Sequence, residues 1–468
     1  MRFLAIVVLI LLSSRCEAGT LAGGAAAVDI TPLRLPVSMT GSFQDRQATG
    51  VHDRLHARSL VLDDGETRIA IVICDSCLIP RDIFDKAKQS ASKRTGIPTS
   101  QILTAATHTH TAPTVLKAAQ CTPDPQYLEY LTKQIAEAVV VANDRVRPVE
   151  VGWGVVAVPD EVSNRRWFIK PEAMKANPFG RTDDQVRMNP PRGTGVLIRP
   201  AGPTDPDVTF LNVRSADGRP VSLLANYGLH YVGGIAPGQL SADYFGAFAR
   251  HIATRFDADK SFVGIMSNGA SGDVNNYQFP NARPASAPFE RMNAVAAKVA
   301  DHIQHENKGI RFSDNELIQM SEREIKLSVR RPRQLELERA RQLLENAADP
   351  LRLTIDELYA QESIRLDASR PSVRLKLQTI AIGDLAIVAV PCEVFAEIGL
   401  EIKRRSPFKT TFIIELANGY NGYLPTPKQH DLGGYETWRS GWSYLERDAS
   451  TIITETTLEM LKAISHNK

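Results

Sequence analysis

No charge of one sign dominates this chain. Its 468 residues carry 55 Lys and Arg against 53 Asp and Glu, and the two signs are interspersed rather than blocked. That pattern speaks against a nucleic-acid footprint and against a polybasic membrane anchor. The short basic run Lys403-Arg404-Arg405 falls where a helix is expected to end, and cations there complement the helix dipole. Beyond the N-terminus no apolar run is long enough to cross a bilayer. Internal repeats and low-complexity segments are also missing. Cysteine is sparse: Cys16, Cys74, Cys77, Cys121 and Cys392. What is present is 43% apolar and 23% charged residues, ordinary for a soluble globular protein, on a length that suits two or three domains or one large α/β domain with insertions.

Arg2, the apolar residues 3–12 and the small or polar residues 13–18 read as a secretory signal peptide, too short to span a membrane. Cleavage after Ala18 would export a mature chain 19–468 to a periplasm or the outside. Arg15 directly before Cys16 is unsuited to a lipid-attachment site. The other four cysteines then meet conditions that permit disulfides. Cys74 and Cys77 stand between an apolar strand and a helix, the placement of a redox dithiol. Their spacer Asp75-Ser76 is unremarkable and no tryptophan precedes them, so a structural disulfide and buried free thiols stay open beside the redox reading.

Apolar runs at 25–30, 55–62, 69–74 and 102–106 read as strands, with helices expected over 81–93 and 126–141. A strand at 149–158 precedes a polar stretch rich in Pro and Arg, 160–199, which has the character of a functional loop or lid. A hairpin around Asp217-Gly218, a helix at 242–253, a buried strand at 261–266 and a helix at 289–304 follow. Charged helices at 333–347 and 355–364 lead to a hairpin around Gly383-Asp384, a helix opened by Glu393, a strand at 411–416 and a last helix at 449–464. The expected fold class is α/β, with layered mixed sheets, flanking helices and a metal site at the strand ends.

The segment Thr107-His108-Thr109-His110-Thr111 follows the strand at 102–106. If that strand continues, His108 and His110 share a face. Two imidazoles there suit a metal, or one holds it while the other moves a proton; a hydrogen-bonded polar pair is the alternative. His230 and Glu393 also follow strand ends, and imidazole nitrogen and carboxylate oxygen are suitable zinc donors. Spacing alone does not bring them together.

The wording of these blocks resembles the neutral, non-lysosomal ceramidase family of secreted zinc amidases. Ala106-Thr107-His108-Thr109-His110-Thr111-Ala112-Pro113 is similar to its Ala-Thr-His-Thr-His-Ser-Gly-Pro motif, and Asn164-Arg165 to its Asn-Arg loop. His230 matches its second histidine block, while Ser267-Asn268 and Gly272-Asp273-Val274 resemble its Ser-Asn-x-Gly-Asp-Val with residues inserted. Pro391-Cys392-Glu393 resembles Pro-Gly-Glu, the run from Asn418 to Tyr423 resembles Asn-x-Tyr-x-x-Tyr, and Tyr435-Glu436 resembles a later Tyr-Glu. The blocks run in order over nearly the whole mature chain.

The resemblance implies a Zn2+ held by His108, His230, Glu393 and Tyr423 and a water activated at that ion. It implies His110 as proton donor to the leaving amine, Arg165 at the developing oxyanion, Glu393 also touching the water, and Ser267 and Tyr420 against the substrate. The bland readings are a carboxylate partner for Arg165, packing for Tyr420 and strand termination for Ser267; Asp243 is expected to cap the following helix rather than touch metal. The implied activity is amide hydrolysis of N-acylsphingosine (ceramide) or a related N-acyl lipid, with peripheral membrane contact and no nucleic-acid partner. A soluble amide, ester or glycan-derived substrate, a non-catalytic envelope binding protein and a thiol oxidoreductase are the competing readings. Ala112 and Cys392 stand where the family has glycines and are expected to put bulk near the site. The family's C-terminal β-sandwich domain is not expected, because the sequence stops at Lys468.

Overall fold

Two β-sheets lie face to face in the computed structural model, which describes residues 21–281 and 284–466. The expected signal peptide falls outside the described residues. The larger sheet is built from β1 (Ala22–Asp29), β2 (His56–Asp63), β3 (Arg68–Cys74), β4 (Ile102–Ala106), β5 (Arg147–Ala157), β6 (Asp207–Ser215), β7 (Pro220–Tyr227) and β8 (Val263–Asn268), in the spatial order β8-β7-β6-β5-β1-β2-β3-β4. The smaller contains β9 (Ile318–Ser328), β10 (Ser372–Ile382), β11 (Leu385–Ala389) and β12 (Thr410–Ile414) in that order. Neighbours are antiparallel except for three parallel pairs, β3 with β4, β7 with β8, and β11 with β12.

The pleat explains why the central strands read as unbroken apolar runs. In β3, Ile69, Ile71 and Ile73 point into the core between the sheets, while Ala70, Val72 and Cys74 point outward to a helical layer. The inner core joins them to Ile380, Ile387 and Phe412 of the smaller sheet. Each such buried side chain contributes roughly 1.5–3 kcal/mol of burial free energy. Helices α1 (Arg81–Thr95) and α2 (Pro125–Asp144) cover one part of the larger sheet, and α3 (Asp243–Arg255) and α4 (Glu290–Glu306) cover another. Of α5 (Gln334–Glu345), α6 (Ile355–Asp367), α7 (Ala396–Arg405), α8 (Pro427–Leu432) and α9 (Ala449–Ser465), α6, α7 and α9 pack on the smaller sheet's outer face. The layers are thus helix, sheet, sheet, helix. Asp124 starts α2 by accepting from the Gln126 N–H, with Pro125 in the first turn where no N–H is needed. Among the described residues no helix is long and apolar enough to cross a membrane.

Several local expectations need correction. β4 stops at Ala106, so the histidine motif lies beyond the strand. The stretch 160–199 contains parts of a three-stranded sheet formed by Arg166–Ile169, Val186–Met188 and Leu197–Pro200. β9 had no apolar signature because it is an edge strand in which only Ile318 and Leu327 are buried. Glu393 does not open a helix: it pairs with Tyr423 in a short parallel bridge, and α7 begins at Ala396. The four described cysteines are free and buried.

Candidate metal centre and active site

Three strand ends meet at one place. Ala106, ending β4, donates its N–H to Leu416 O at 3.3 Å, just past β12. Asn226 of β7 donates to Ile413 O of β12 at 2.8 Å. The chain segments leaving these strands therefore converge at the seam of the two sheets.

His108 reaches the seam in an unexpected way. Its φ is +76°, a left-handed conformation rare for a residue with a Cβ. Hydrogen bonds from Thr107 N to Cys74 O (2.9 Å) and from His108 N to Ser76 O (2.8 Å) hold the backbone there. His108 Nε2 lies 3.2 Å from His110 Nε2. The rings converge through this backbone twist, not through a shared strand face. His108 Nδ1 sits 2.6 Å from Cys77 O, and His230 Nδ1 sits 3.1 Å from Ser271 O. A carbonyl only accepts, so each Nδ1 carries a hydrogen and each Nε2 is the nitrogen left to bind a proton or a cation.

Glu393 completes the group. Its Oε1 accepts from the Tyr420 hydroxyl at 3.0 Å. Its Oε2 is buried without a hydrogen-bond partner and lies 3.5 Å from His108 Nε2. One ligand atom from each of His108, His230 and Glu393 falls within 4.8 Å of the others. Two imidazole lone pairs and an orphaned buried carboxylate oxygen are a donor set suited to a divalent cation. Cys77, His108 and His110 form a second such group, but His108 Nδ1 on that side is taken by the Cys77 carbonyl. Burial lowers the proton affinity of His108, yet the neighbouring Cys77 and Glu393 outweigh it and hold the imidazole well above its ordinary range. Burial, together with charge on His108 and Arg165, pushes His230 well below.

Tyr423 stands beside Glu393 through the bridge between their strands. Burial and the Glu393 charge push its phenol well above the usual tyrosine range, so phenolate ligation there requires a cation. His110 stacks on Tyr231, with centroids 3.8 Å apart and planes at 21°. Its other side is served by Gly41, at φ +96°, where an added Cβ would come within 2.5 Å of the imidazole. Burial and neighbouring cations push His110 well below the ordinary range, leaving it neutral.

Arg165 has the carboxylate partner that one of its two readings expected, and it also lines the cavity. Its Nε donates to Glu436 Oε1 at 2.9 Å, while Arg166 Nη1 donates to Glu436 Oε2 at 2.6 Å. Its Nη1 lies 3.3 Å from His230 Nε2, and its guanidinium carbon stands 5.3 Å from the Tyr423 ring centroid. Asp273 secures this loop, accepting from Asn164 Nδ2 at 2.7 Å and from Ala396 N at 2.8 Å. Burial pushes its carboxyl up to about 6.

These groups open on a cavity of about 320 Å³, lined by His108, His110, Arg165, Glu393, Tyr420 and Tyr423. Its remaining wall sets apolar Phe43, Leu78, Ala119, Met188 and Trp442 beside polar Thr40, Ser42, Asn189 and Asn275. A larger basic cleft of about 590 Å³ shares Tyr420 but none of the imidazoles. Ser267 is not brought to the cavity. Its hydroxyl donates to Ala225 O and accepts from Asn226 Nδ2, both at 3.0 Å, tying β8 to β7. Ala112 and Cys392 are buried in separate hydrophobic clusters and do not line the cavity, so they add no bulk there. Asp243 stands at the first position of α3 and its Oδ1 accepts from Tyr244 N at 2.6 Å, in the first turn. It accepts from Val232 N at 3.1 Å and Gly233 N at 2.8 Å, fastening the loop after His230. Tyr231, Gly41 and Glu436 were not assigned roles from sequence; Tyr231 adjoins His230, and Glu436 belongs to the Tyr-Glu block.

A family model described as neutral/alkaline non-lysosomal ceramidase, N-terminal, matches residues 22–301. The chain belongs to the neutral/alkaline non-lysosomal ceramidase family. Family membership makes it a hydrolase. Among solved structures, it is similar to one titled "Ceramidase complexed with C2", with a TM-score of 0.71, 16% identity and coverage of 96% of this chain and 76% of that one. It is also similar to neutral ceramidase from Pseudomonas aeruginosa, with a TM-score of 0.69, 16% identity and coverage of 96% and 75%. At that identity the likeness shows a shared fold. No curated protein sequence matches the chain. The family match ends before Glu393, Tyr420 and Tyr423.

Proposed function

We propose that this ceramidase-family protein is a secreted zinc-dependent amidohydrolase whose substrate is ceramide or a related N-acyl lipid. The observation that carries the reading is the meeting of His108, His230 and Glu393 within 4.8 Å, with Glu393 Oε2 otherwise unsatisfied. His108, His230, Glu393 and Tyr423 would hold the ion. Bound zinc supplies Lewis acidity, polarising an amide carbonyl and easing deprotonation of water.

The chain's own residues supply the rest. The Tyr420 hydroxyl holds Glu393 Oε1, leaving Oε2 aimed at the imidazoles. Arg165, braced by Glu436, presents a fixed positive charge to the oxygen that gains charge as an amide carbonyl is attacked. His110 is neutral and clamped between Tyr231 and Gly41. It takes a proton from water and returns it to the departing nitrogen. The apolar part of the wall suits a hydrocarbon chain. A water-insoluble substrate also implies peripheral contact with a lipid surface.

The test is a series of N-acyl amides of rising chain length, assayed with zinc-loaded protein. kcat/KM should rise steeply with acyl length. A flat series with a short soluble amide preferred would transfer the same site to a soluble substrate. For export, the mature N-terminus should be Gly19, as read by N-terminal sequencing of secreted protein.

A further inference from the structure

We infer that Glu415 and the Ser271 hydroxyl form a positioning chain that holds the aim of His230, whose tautomer the Ser271 carbonyl sets; the inference rests on the metal centre proposed above. Glu415 directly follows β12, in a run that reads as plain apolar strand, and is fully buried. Its carboxyl is nevertheless surrounded by donors. Oε1 accepts from the Ser271 hydroxyl at 2.7 Å, and Oε2 accepts from Val394 N at 2.7 Å and Ser271 N at 3.3 Å. Ser271 Oγ in turn lies 3.2 Å from His230 Nδ1.

The direction of the chain follows from hydrogen-bond chemistry. The Ser271 carbonyl beside His230 Nδ1 can only accept, so that nitrogen carries its hydrogen. The hydroxyl therefore accepts from the ring and passes its own hydrogen to Glu415. The imidazole is left with an Nε2 lone pair facing the centre. At His108 the Cys77 carbonyl sets the tautomer in the same way, with Cys77 Sγ at 3.7 Å in the place of the hydroxyl.

Glu415 also braces a second ligand. Val394 is the residue after Glu393, so one carboxyl ties the His230 support to the Glu393 strand. Gly272 tightens the same joint, donating to Val394 O at 2.8 Å. A Cβ on Gly272 would come within 2.6 Å of Glu393 O. Glu415 and Ser271 do not line the cavity, so their role is positioning. Partners that orient a metal-bound histidine typically change metal affinity 10–100-fold when removed.

The experiment compares wild type, Ser271→Ala, Glu415→Gln and the double variant. Zinc dissociation constants come from chelator competition, the ligand field from absorption of the cobalt-substituted protein, and folding of the metal-free chains from thermal unfolding. Each single variant should bind zinc about 10–100-fold more weakly and shift the cobalt bands. The double variant should be little weaker than the worse single one, because both break one chain. If Glu415→Gln does not fold, Ser271→Ala alone decides. Wild-type zinc affinity and an unchanged cobalt spectrum in Ser271→Ala would overturn the inference while leaving the metal centre intact. A wild-type chain that binds no zinc would overturn both.

Discussion

In the proposed centre, the chain up to about residue 301 gives the nitrogen and the part after it gives the oxygen. His108, His110, Arg165 and His230 stand on loops associated with the larger sheet, while Glu393 follows β11 of the smaller sheet and Tyr420 and Tyr423 follow β12. Neither part alone has a full donor set. The centre exists because the sheets are docked, and an ion binding across the seam would add its binding free energy to that docking.

The comparison is broken most directly by removing one donor from each side. His108→Ala and Glu393→Ala should each abolish stoichiometric zinc and lower turnover by at least about 10³-fold. Elemental analysis beside a ceramide assay reads both effects. Full zinc in Glu393→Ala would exclude the smaller sheet from ligation. His110→Ala should keep zinc within a few-fold and lose about 10²–10⁴-fold in turnover, the usual range for a proton-transfer group. Equal metal loss in His108→Ala and His110→Ala would end that division of labour.

Gly272→Ala probes the seam itself. Its Cβ would meet the Glu393 backbone, and the predicted cost is about 1–3 kcal/mol in unfolding free energy. An unchanged midpoint would mean that the two segments separate freely. The smallest effect concerns Lys88 on α1, which is buried and donates to Asn418 Oδ1 at 2.6 Å across the seam. Burial and then the charge of Lys376 lower its pKa to about 7. Above that value the unfolded chain binds the proton more readily than the folded one, so stability rises with pH until the ordinary lysine value is reached. Relative to Lys88→Met, wild type should gain at most about 1.4 kcal/mol for one pH unit within that window. Parallel pH profiles in urea unfolding would show that Lys88 does not titrate there.

Legibility in the sequence follows the same division. The apolar runs of β3 and β4 were readable because pleat and periodicity agree there. The two histidines stood out as a motif, but their convergence depends on the positive φ of His108, which residue spacing does not encode. Ser267 is a site residue only by its likeness to a family motif; its hydroxyl is spent between β7 and β8, as the strand-ending reading expected. Glu415 was invisible for the opposite reason, a carboxyl at the end of an apolar strand whose partners come from residues 271 and 394. Asp243 and Asp273 likewise act through backbone groups that only the folded chain brings near.

The central claim is that one divalent ion joins the two sheets at His108, His230 and Glu393. An anomalous difference map from zinc-loaded crystals, collected on both sides of the zinc absorption edge, tests it most directly. One strong peak is expected within bonding distance of His108 Nε2, His230 Nε2 and Glu393 Oε2. A peak at Cys77 and His110 instead, or no peak among these side chains, would contradict it.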